Sequence, residues 1–401
     1  MVQMLRGILS GETGDTKESG VVGAQCTIES TIVKTGTYSF KQDYDIASAQ
    51  THQNFPNTPT GNHWYFSFHY YKTGNSTEVD GGIIKLMSIL ASGESHPHAN
   101  PKRALSIDSL GRIVVRETTT VLGRTTTQLA NNTWYHVEYY HNNTSGSVQD
   151  VLKLNGTTEV NSSSGASFTF NIASLGGYNG KNNRVIGVAG YVDNGWFNDA
   201  NGSFNNTNPG ELFILASQPN GNSVTAGYTD FTNQAAATAS FADVDEIPTN
   251  SDTDYAESGS GDGTLDHLFE YEDSATIGVP STDDILAIVV MPLTKLQSGS
   301  TGGAFWSLIQ SGGSDSVSQS NLAMAGYNQY WQGLHDSDPN TGDYWTQTDF
   351  DSVYAGISKR SAGDKNFRVS TCLVMVAYGT LPVITTPSIV GWKTLLGVGN
   401  G

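Results

Sequence analysis

The sequence predicts an all-β protein made of two β-sandwich domains, and three observations lead to this expectation. Short apolar or aromatic segments recur along the chain, and clusters of turn-forming residues separate them. The polar remainder is dominated by Ser, Thr, Asn and 45 Gly, which suit the turns between strands. No long segment of the first half has a helical period, and strands at this spacing are typical of a sandwich.

The strand candidates are distributed over both halves of the chain. The apolar pattern predicts strands at 64–71, 83–90, 104–108, 112–116, 134–140, 151–154, 184–189, 211–215, 284–291, 304–310, 327–334 and 369–378. Asn155-Gly156 is the strongest short hairpin signal. One short helix is predicted, with Thr348 as its N-cap, Asp351 three residues later and Gly356 closing it.

A stretch of turn chemistry without a large apolar residue, at 218–222, predicts a domain boundary between 216 and 225. The expected division is therefore a first sandwich with its N-terminal segment, a second sandwich and a C-terminal extension, at 1–217, 218–380 and 381–401. The extension is apolar enough to dock on a neighbouring subunit, or else on its own domain. The residues expected at such a subunit contact are Ile389, Val390, Leu395 and Leu396.

Composition and charge exclude several classes of protein. A net charge of −18 argues against nucleic acid and anionic membrane surfaces as partners, because binding to either needs clustered Lys and Arg. Cys26 and Cys372 are far apart and form no metal-binding spacing, which predicts two free thiols. The N-terminus has no secretory signal and no segment is long enough to insert into a membrane, so the chain is expected to be made in a cytoplasm.

The first half resembles the laminin-G or concanavalin-like jelly roll over residues 60–215. The resemblance is carried by the hairpin around Gly111, the Trp134-Tyr135-His136-Val137-Glu138 strand after an Asn-rich turn, and the strand that ends in Asn155-Gly156. It implies a jelly-roll-like sandwich with Trp134 in the core. On that basis, replacing Trp134 by alanine is expected to cost about 3 to 5 kcal/mol.

The second half, over residues 225–360, resembles a domain that recurs in structural proteins of tailed phages. The resemblance is carried by Asp243-Val244-Asp245-Glu246, Asp252-Thr253-Asp254-Tyr255, Ile288-Val289-Val290, Ile309-Gln310-Ser311-Gly312-Gly313, Tyr327, Asp338-Pro339-Asn340-Thr341-Gly342, Trp345-Thr346 and Val353-Tyr354-Ala355-Gly356. It implies a virion surface component, such as a tail appendage, fibre or head decoration, with no catalytic residues. The implied partners are other virion proteins, copies of the same chain in an oligomer, and a host-surface glycan.

The densest carboxylate group suggests a calcium site, although no cofactor is otherwise expected. Calcium needs several oxygen ligands that converge on one point, and the candidate ligands are Asp243, Asp245, Asp252 and Asp254. The alternative is a solvated acidic loop that caps backbone N–H groups. A glycosidase pair is disfavoured here, because Glu246 would point to the opposite face of a strand from Asp243 and Asp245.

Aromatic side chains beside polar turns suggest a binding surface. Trp196 and Phe197 follow the apparent turn at 193–195, and Tyr330 and Trp331 form a second pair. An aromatic on a polar loop that the core does not need indicates a contact with a glycan or a neighbouring protein. The alternatives to a virion protein are a free carbohydrate-binding, lectin-like module and a glycoside hydrolase of concanavalin-like fold.

Overall fold

The computed structural model describes residues 5–9, 26–44, 50–54, 61–77, 84–92, 101–178, 188–199, 208, 210–224, 227–233, 235–246, 254–259, 264–297, 301–317, 321–324, 332–360 and 366–380. Strands of the first half are β1 Leu5–Leu9, β2 Cys26–Glu29, β3 Ser39–Asp43, β4 Gln50–Asn54, β5 His63–Lys72, β6 Ile84–Ala91, β7 Arg103–Ile107, β8 Arg112–Glu117, β9 Thr120–Gln128, β10 Trp134–Asn142, β11 Gln149–Leu154, β12 Thr157–Ser162, β13 Phe170–Tyr178 and β14 Ala189–Asp199.

The second half adds twelve described strands, two short α-helices and a 3-10 helix at Phe241–Asp243. The strands and α-helices are β15 Phe213–Ser217, β16 Pro219–Asn222, β17 Thr232–Asn233, β18 Ala256–Glu257, β19 Leu265–Tyr271, α1 Ser274–Ile277, β20 Asp284–Leu296, β21 Thr301–Ser311, β22 Ser314–Val317, β23 Asn321–Met324, β24 Gly333–His335, α2 Gln347–Phe350, β25 Tyr354–Lys359 and β26 Phe367–Gly379. The predicted fold class, an all-β protein with sandwich-like sheets, is confirmed.

The first sandwich has two layers. In the described residues, one sheet has the order β12-β11-β10-β5-β14-β3-β2, with β1 also on β14, and the other has the order β4-β13-β6-β7-β8-β9. Alternate side chains of β5 point between the layers, because successive residues of a strand face opposite sides. Trp64, Phe66, Phe68 and Tyr70 therefore lie in the core and are almost fully buried.

Trp134 does not lie in that core, so the expectation drawn from the jelly-roll resemblance is wrong. It begins β10 and is only partly buried. Its ring lies against Tyr71 on the outer face of the sheet, with ring centroids 5.4 Å apart. The inward positions of β10 belong to Val137 and Tyr139. Both faces of this strand carry aromatic residues, and the sequence pattern alone does not say which face is inside.

The second sandwich is one continuous strand network that folds over its own core. Among the described residues its order is β16-β19-β25-β21-β23-β20-β26-β18-β17. Strand β21 belongs to both layers, since Thr301 to Phe305 pair with β23 and Trp306 to Gln310 pair with β25. Trp345 and Phe367 are among the buried residues of its hydrophobic core.

The domain boundary lies earlier than the sequence predicts. Strand β15 (Phe213–Ser217) pairs with β26 of the second sandwich, from Phe213 opposite Tyr378 to Ser217 opposite Val374. The chain therefore enters the second sandwich before Phe213, and the predicted 217/218 division cuts through this domain. The turn residues at 218–222 instead form the start of β16, which pairs with β19.

The predicted hairpin turn is found where the sequence places it, whereas the predicted helix begins at a different residue. Asn155 and Gly156 both adopt positive φ angles, 48° and 78°, as a two-residue hairpin turn requires. The helix α2 is shorter than predicted and has Thr346 rather than Thr348 as its N-cap, in a capping box with Asp349. Gly356 lies inside β25 rather than at a helix end.

The two sandwiches pack directly on each other. Outer-face residues of β20 and β26, including Val289, Met291 and Met375, form a third apolar cluster with Trp196 of β14. Tyr65 of β5 packs against the same cluster. Strands β5 and β14 are thus covered on both faces, by their own sandwich on one side and by the second sandwich on the other.

Candidate functional site

The acidic group does not form a cation site in the part of the chain that the structure describes. No group of three or more His, Cys, Asp or Glu side chains that could hold a metal occurs there. Asp243 is buried, and its Oδ2 accepts hydrogen bonds from Ser240 N at 2.6 Å and Ser240 Oγ at 3.1 Å. Asp245 and Asp254 are half-buried. Asp252 lies outside the described residues.

Trp196 and Phe197 are not surface residues, so the prediction of an exposed aromatic pair is wrong for them. Both are fully buried in β14. Phe197 stacks on Phe66 in the first core, with ring centroids 4.5 Å apart. Trp196 points the other way, into the cluster between the two sandwiches.

The remaining predicted contact residues lie outside the described residues. These are Tyr330 and Trp331 of the second aromatic pair, and Ile389, Val390, Leu395 and Leu396 of the C-terminal extension. Their roles stay predictions. No helix among the described residues has the length and apolar character needed to cross a membrane. Cys26 and Cys372 are buried free thiols, as the sequence predicts.

The apparent turn at 193–195 is a β-bulge inside β14. The pairing register with β5 shifts between Asp193 and Trp196, and Asn194 adopts a positive φ of 52°. A bulge turns backbone and side chains away from the ladder, and here both polar side chains are fully buried. The Oδ2 of Asp193 accepts from the backbone N–H groups of Lys34 at 2.9 Å and Thr35 at 3.2 Å.

Asn194 joins the two sandwiches through its side-chain oxygen. Its Oδ1 accepts from the backbone N–H of Ile214 in β15 at 2.7 Å and from Thr35 Oγ1 at 2.9 Å. Because a backbone N–H only donates, Ile214 fixes Oδ1 on its side of the amide. The amide Nδ2 of Asn194 consequently faces Nδ1 of His69 at 3.4 Å.

His69 is therefore held as the neutral tautomer that accepts at Nδ1 and donates at Nε2. Its Nε2 lies 2.6 Å from Oε1 of Glu211. Burial lowers the pKa of His69, and this effect outweighs the opposing influence of Glu211. The hydrogen bond from His69 in turn lowers the pKa of Glu211.

A second buried histidine stacks beside the first. The rings of His69 and His136 are 5.2 Å apart, and Nε2 of His136 lies 2.6 Å from Oγ of Ser67. Burial, together with the nearby His69, lowers the pKa of His136 to about 4. Phe213 stacks on His69 from the side of the second sandwich, with ring centroids 5.4 Å apart.

An open cleft of about 610 Å³ lies beside this junction, and both sandwiches contribute to it. The loop between β2 and β3 forms one wall with Thr35, Gly36, Thr37 and Tyr38. The second sandwich supplies the rest, from β15, the β15–β16 turn, the α1 region and the end of β26. Its lining residues are Leu215, Ala216, Gln218, Glu272, Ile277, Gly278 and Tyr378.

The lining of the cleft combines aromatic rings with neutral donors and acceptors. Burial, followed by the nearby Asp283 and Asp193, raises the pKa of Tyr378 to about 12, so its hydroxyl keeps its proton at neutral pH. Among the described lining residues Glu272 is the one that carries a charge, and its Oε2 lies 3.4 Å from the backbone N of Gln218. Lys and Arg are absent from the described lining residues, which disfavours an anionic ligand.

Sequence reasoning missed the cleft because its parts are far apart in the chain and carry no shared motif. The signal that was present is the Asp193-Asn194-Gly195 segment. These three residue types are typical of turns, but they stand between residues typical of strands, and this combination is also typical of a β-bulge.

No protein-family model matches the chain, and no curated protein matches it. Solved structures similar to it include the carbohydrate-binding module CBM66 from Bacillus subtilis, at 11% identity over 45% of this chain and 97% of the module, with a TM-score of 0.29. The metal-free carbohydrate recognition domain of Emp46p has 11% identity over 44% and 88%, with a TM-score of 0.29. The alginate lyase AlgAT5 from polysaccharide lyase family 7 has 11% identity over 40% and 76%, with a TM-score of 0.29. Each similarity covers less than half of this chain and decides nothing about a ligand or an activity.

Proposed function

We propose that this chain is a non-enzymatic carbohydrate-binding protein that takes a neutral oligosaccharide into the cleft between its two sandwiches. The observation that carries the proposal is the cleft itself, of about 610 Å³, with walls from both domains. Ligand sites are typically concavities of about 300 to 1,000 Å³ and occur preferentially at domain interfaces.

The chemistry of the lining supports a sugar rather than another class of ligand. A sugar ring presents C–H groups on one face and hydroxyls around its edge. Tyr38 is half-buried and offers apolar ring surface with a polar tip, while Thr35, Gln218 and Glu272 offer partners for hydroxyls. The carboxylate of Glu272 and the net charge of −18 both favour a neutral glycan over an acidic one.

Tyr38→Ala is expected to weaken glycan binding at least about tenfold, because it removes the aromatic surface of one wall. The measurement is binding of the purified chain to an array of neutral and acidic oligosaccharides, followed by titration calorimetry on the strongest neutral binder. Tyr228→Ala is the matched control. Tyr228 is a half-buried tyrosine outside the lining of the cleft, bonded to Asp315 at 2.7 Å, and its loss is expected to leave binding unchanged.

Two results would overturn this proposal. One is an array on which the native chain binds no neutral oligosaccharide. The other is a binder whose affinity is the same for native protein and Tyr38→Ala. The bound oligosaccharide is also expected to be recovered intact after prolonged incubation, whereas shortened products would favour the glycoside hydrolase alternative.

The setting that we propose for this binding is the surface of a tailed-phage particle, with the chain made in the host cytoplasm and present in several copies. The sequence resemblance of residues 225–360 supports it. The buried packing between the sandwiches also suits it, because a rigid two-domain unit presents its cleft in a fixed orientation. Many weak contacts then add through effective concentration.

Purified particles are expected to contain the chain in multiple copies, detected by mass spectrometry and by gold-labelled antibody on intact virions. A truncation after Gly379 is expected to reduce incorporation while both sandwiches stay folded, because the last described strand ends at that residue. A chain that is absent from particles and monomeric at high concentration would instead favour a free lectin-like module.

A further inference from the structure

The polar junction between the sandwiches includes a wall of the cleft. Thr35 is a lining residue, and it donates hydrogen bonds to the side chains of Asp193 and Asn194. The same Asn194 holds Ile214, which directly precedes the lining residues Leu215 and Ala216 in β15. One buried amide therefore sets the distance between the two walls.

The position of that amide depends on the protonation state of His69. A neutral His69 accepts from Nδ2 of Asn194 and donates to Glu211, so every partner is matched. A protonated His69 carries N–H on both ring nitrogens, and its Nδ1–H would then face the N–H group of Asn194. Rotating the Asn194 amide does not solve this conflict, because it would turn Nδ2 toward the N–H of Ile214.

Within the described ranges, the charged and titratable groups around His69 and the stacked His136 come from five elements. They are Lys34 of the β2–β3 loop, His136 and Glu138 of β10, Lys153 of β11, Asp193 of the bulge and Glu211 before β15. Glu211 favours the cation, but 44% of its side chain is exposed, so solvent weakens its effect. Burial and the charge of Lys34 favour the neutral form of His69, and so does its stacking on the neutral ring of His136.

We propose that this junction is acid-sensitive: neutral His69 holds the Thr35 wall of the cleft against β15 through Asn194, and protonation of His69 releases it. Between about pH 6.5 and 5, an opened junction takes up the proton that the closed junction excludes. Opening is then favoured by up to about tenfold for each pH unit. Release of a bound glycan in acid is the consequence, and only this consequence rests on the proposed function.

The test uses hydrogen exchange of the full chain and needs no ligand. Peptides that cover residues 33–38 and 211–217 contain the amides of Lys34, Thr35 and Ile214, which are bonded to the bulge. After correction for the intrinsic exchange rate at each pH, their protection is expected to fall at least about tenfold from pH 7 to pH 5. A peptide that covers residues 103–117 serves as the internal reference and is expected to change less.

Asn194→Asp is expected to reverse the direction in which the protection of the junction amides changes with pH. Its one carboxylate oxygen can still accept from Ile214 and Thr35, while the other now accepts from a protonated Nδ1 of His69. Protection of the two junction peptides is therefore expected to rise as the pH falls from 7 to 5. His69→Gln keeps a donor for Glu211 and an acceptor for Asn194 without titrating, so the pH dependence is expected to shrink.

His63→Gln is the matched control. This histidine lies on the same face of the same strand, where it contacts Tyr140 at 2.7 Å, and its replacement is expected to leave the acid response unchanged. The proposal is overturned if native protection does not change between pH 7 and 5, or if Asn194→Asp responds to acid in the same direction as the native chain. Either result leaves the proposed glycan cleft untouched, because no ligand is present.

Discussion

Replacement of Arg103 by alanine is expected to lower the free energy of unfolding by about 3 to 5 kcal/mol, because it leaves a buried carboxylate without its cation. The Arg103 side chain is fully buried, and its Nε lies 3.1 Å from Oδ1 of Asp150, which is also fully buried. Its Nη1 lies 3.4 Å from Glu117. The loss in the free energy of unfolding is measured by urea denaturation, with tryptophan fluorescence as the signal.

The ion pair is part of a larger buried network, which explains the size of the effect. Oδ1 of Asp150 also accepts from Tyr139, and it lies 2.7 Å from Nδ1 of His141. Burial acts to raise the pKa of Asp150, but the hydrogen bond from His141 and the charge of Arg103 outweigh it and hold the pKa below the usual value. Without Arg103, this carboxylate must either stay charged in the core or take up a proton.

Lys102→Ala is the matched control for the Arg103 variant. Lys102 contacts the same Glu117 at 2.8 Å, but 27% of its side chain is exposed. Exposed ion pairs contribute about 0 to 1 kcal/mol, so a loss in that range is expected. Equal losses for the two variants would mean that the network of Asp150 does not carry the stability assigned to it.

The second large effect expected is acid destabilisation through two histidines of the second sandwich. Burial lowers the pKa of both His267 and His335 from 6.5 to about 4. The unfolded chain protonates these rings below about pH 6.5 while the folded chain does not, so stability is lost as the pH falls. Each ring is expected to contribute about 2 kcal/mol of loss between pH 7 and pH 5.

The measurement is the free energy of unfolding in urea at pH 7 and at pH 5. His335→Leu is expected to reduce the difference between the two pH values by about 2 kcal/mol, because one titrating ring is removed. A packing defect that is equal at both pH values cancels from this difference. His63→Leu, at a half-buried position, is the control, and a native difference below about 1 kcal/mol would contradict the prediction.

Local sequence patterns were sufficient for several strands and one hairpin turn but not for their environment. The strand at 64–71 and the Asn155-Gly156 turn depend on neighbouring residues only, and both are found in the structure as predicted. The burial of Trp134 depends on which face of the sheet meets which layer. Aromatic residues occur on both faces of this sheet, so the pattern does not say which face is inside.

At the candidate site, even less could be predicted from local sequence and more was decided by tertiary packing. The residues of the cleft come from segments near positions 35, 215, 272 and 378, which the packing of the sandwiches brings together. Asp193, Asn194 and Gly195 have the composition of a turn, and only the pairing of β14 with its neighbours makes them a bulge. Such long-range pairing is not encoded in a local window of residues.

The sequence by itself determined the all-β class, the hairpins, the free thiols and the acidic surface, because these follow from composition and from contacts between near neighbours. The tertiary structure alone decided that β15 belongs to the second sandwich, that Trp196 lies between the domains, and that His69 is held neutral by Asn194. Each of these depends on the free energy of packing one layer against another, to which residues far apart in the chain contribute together.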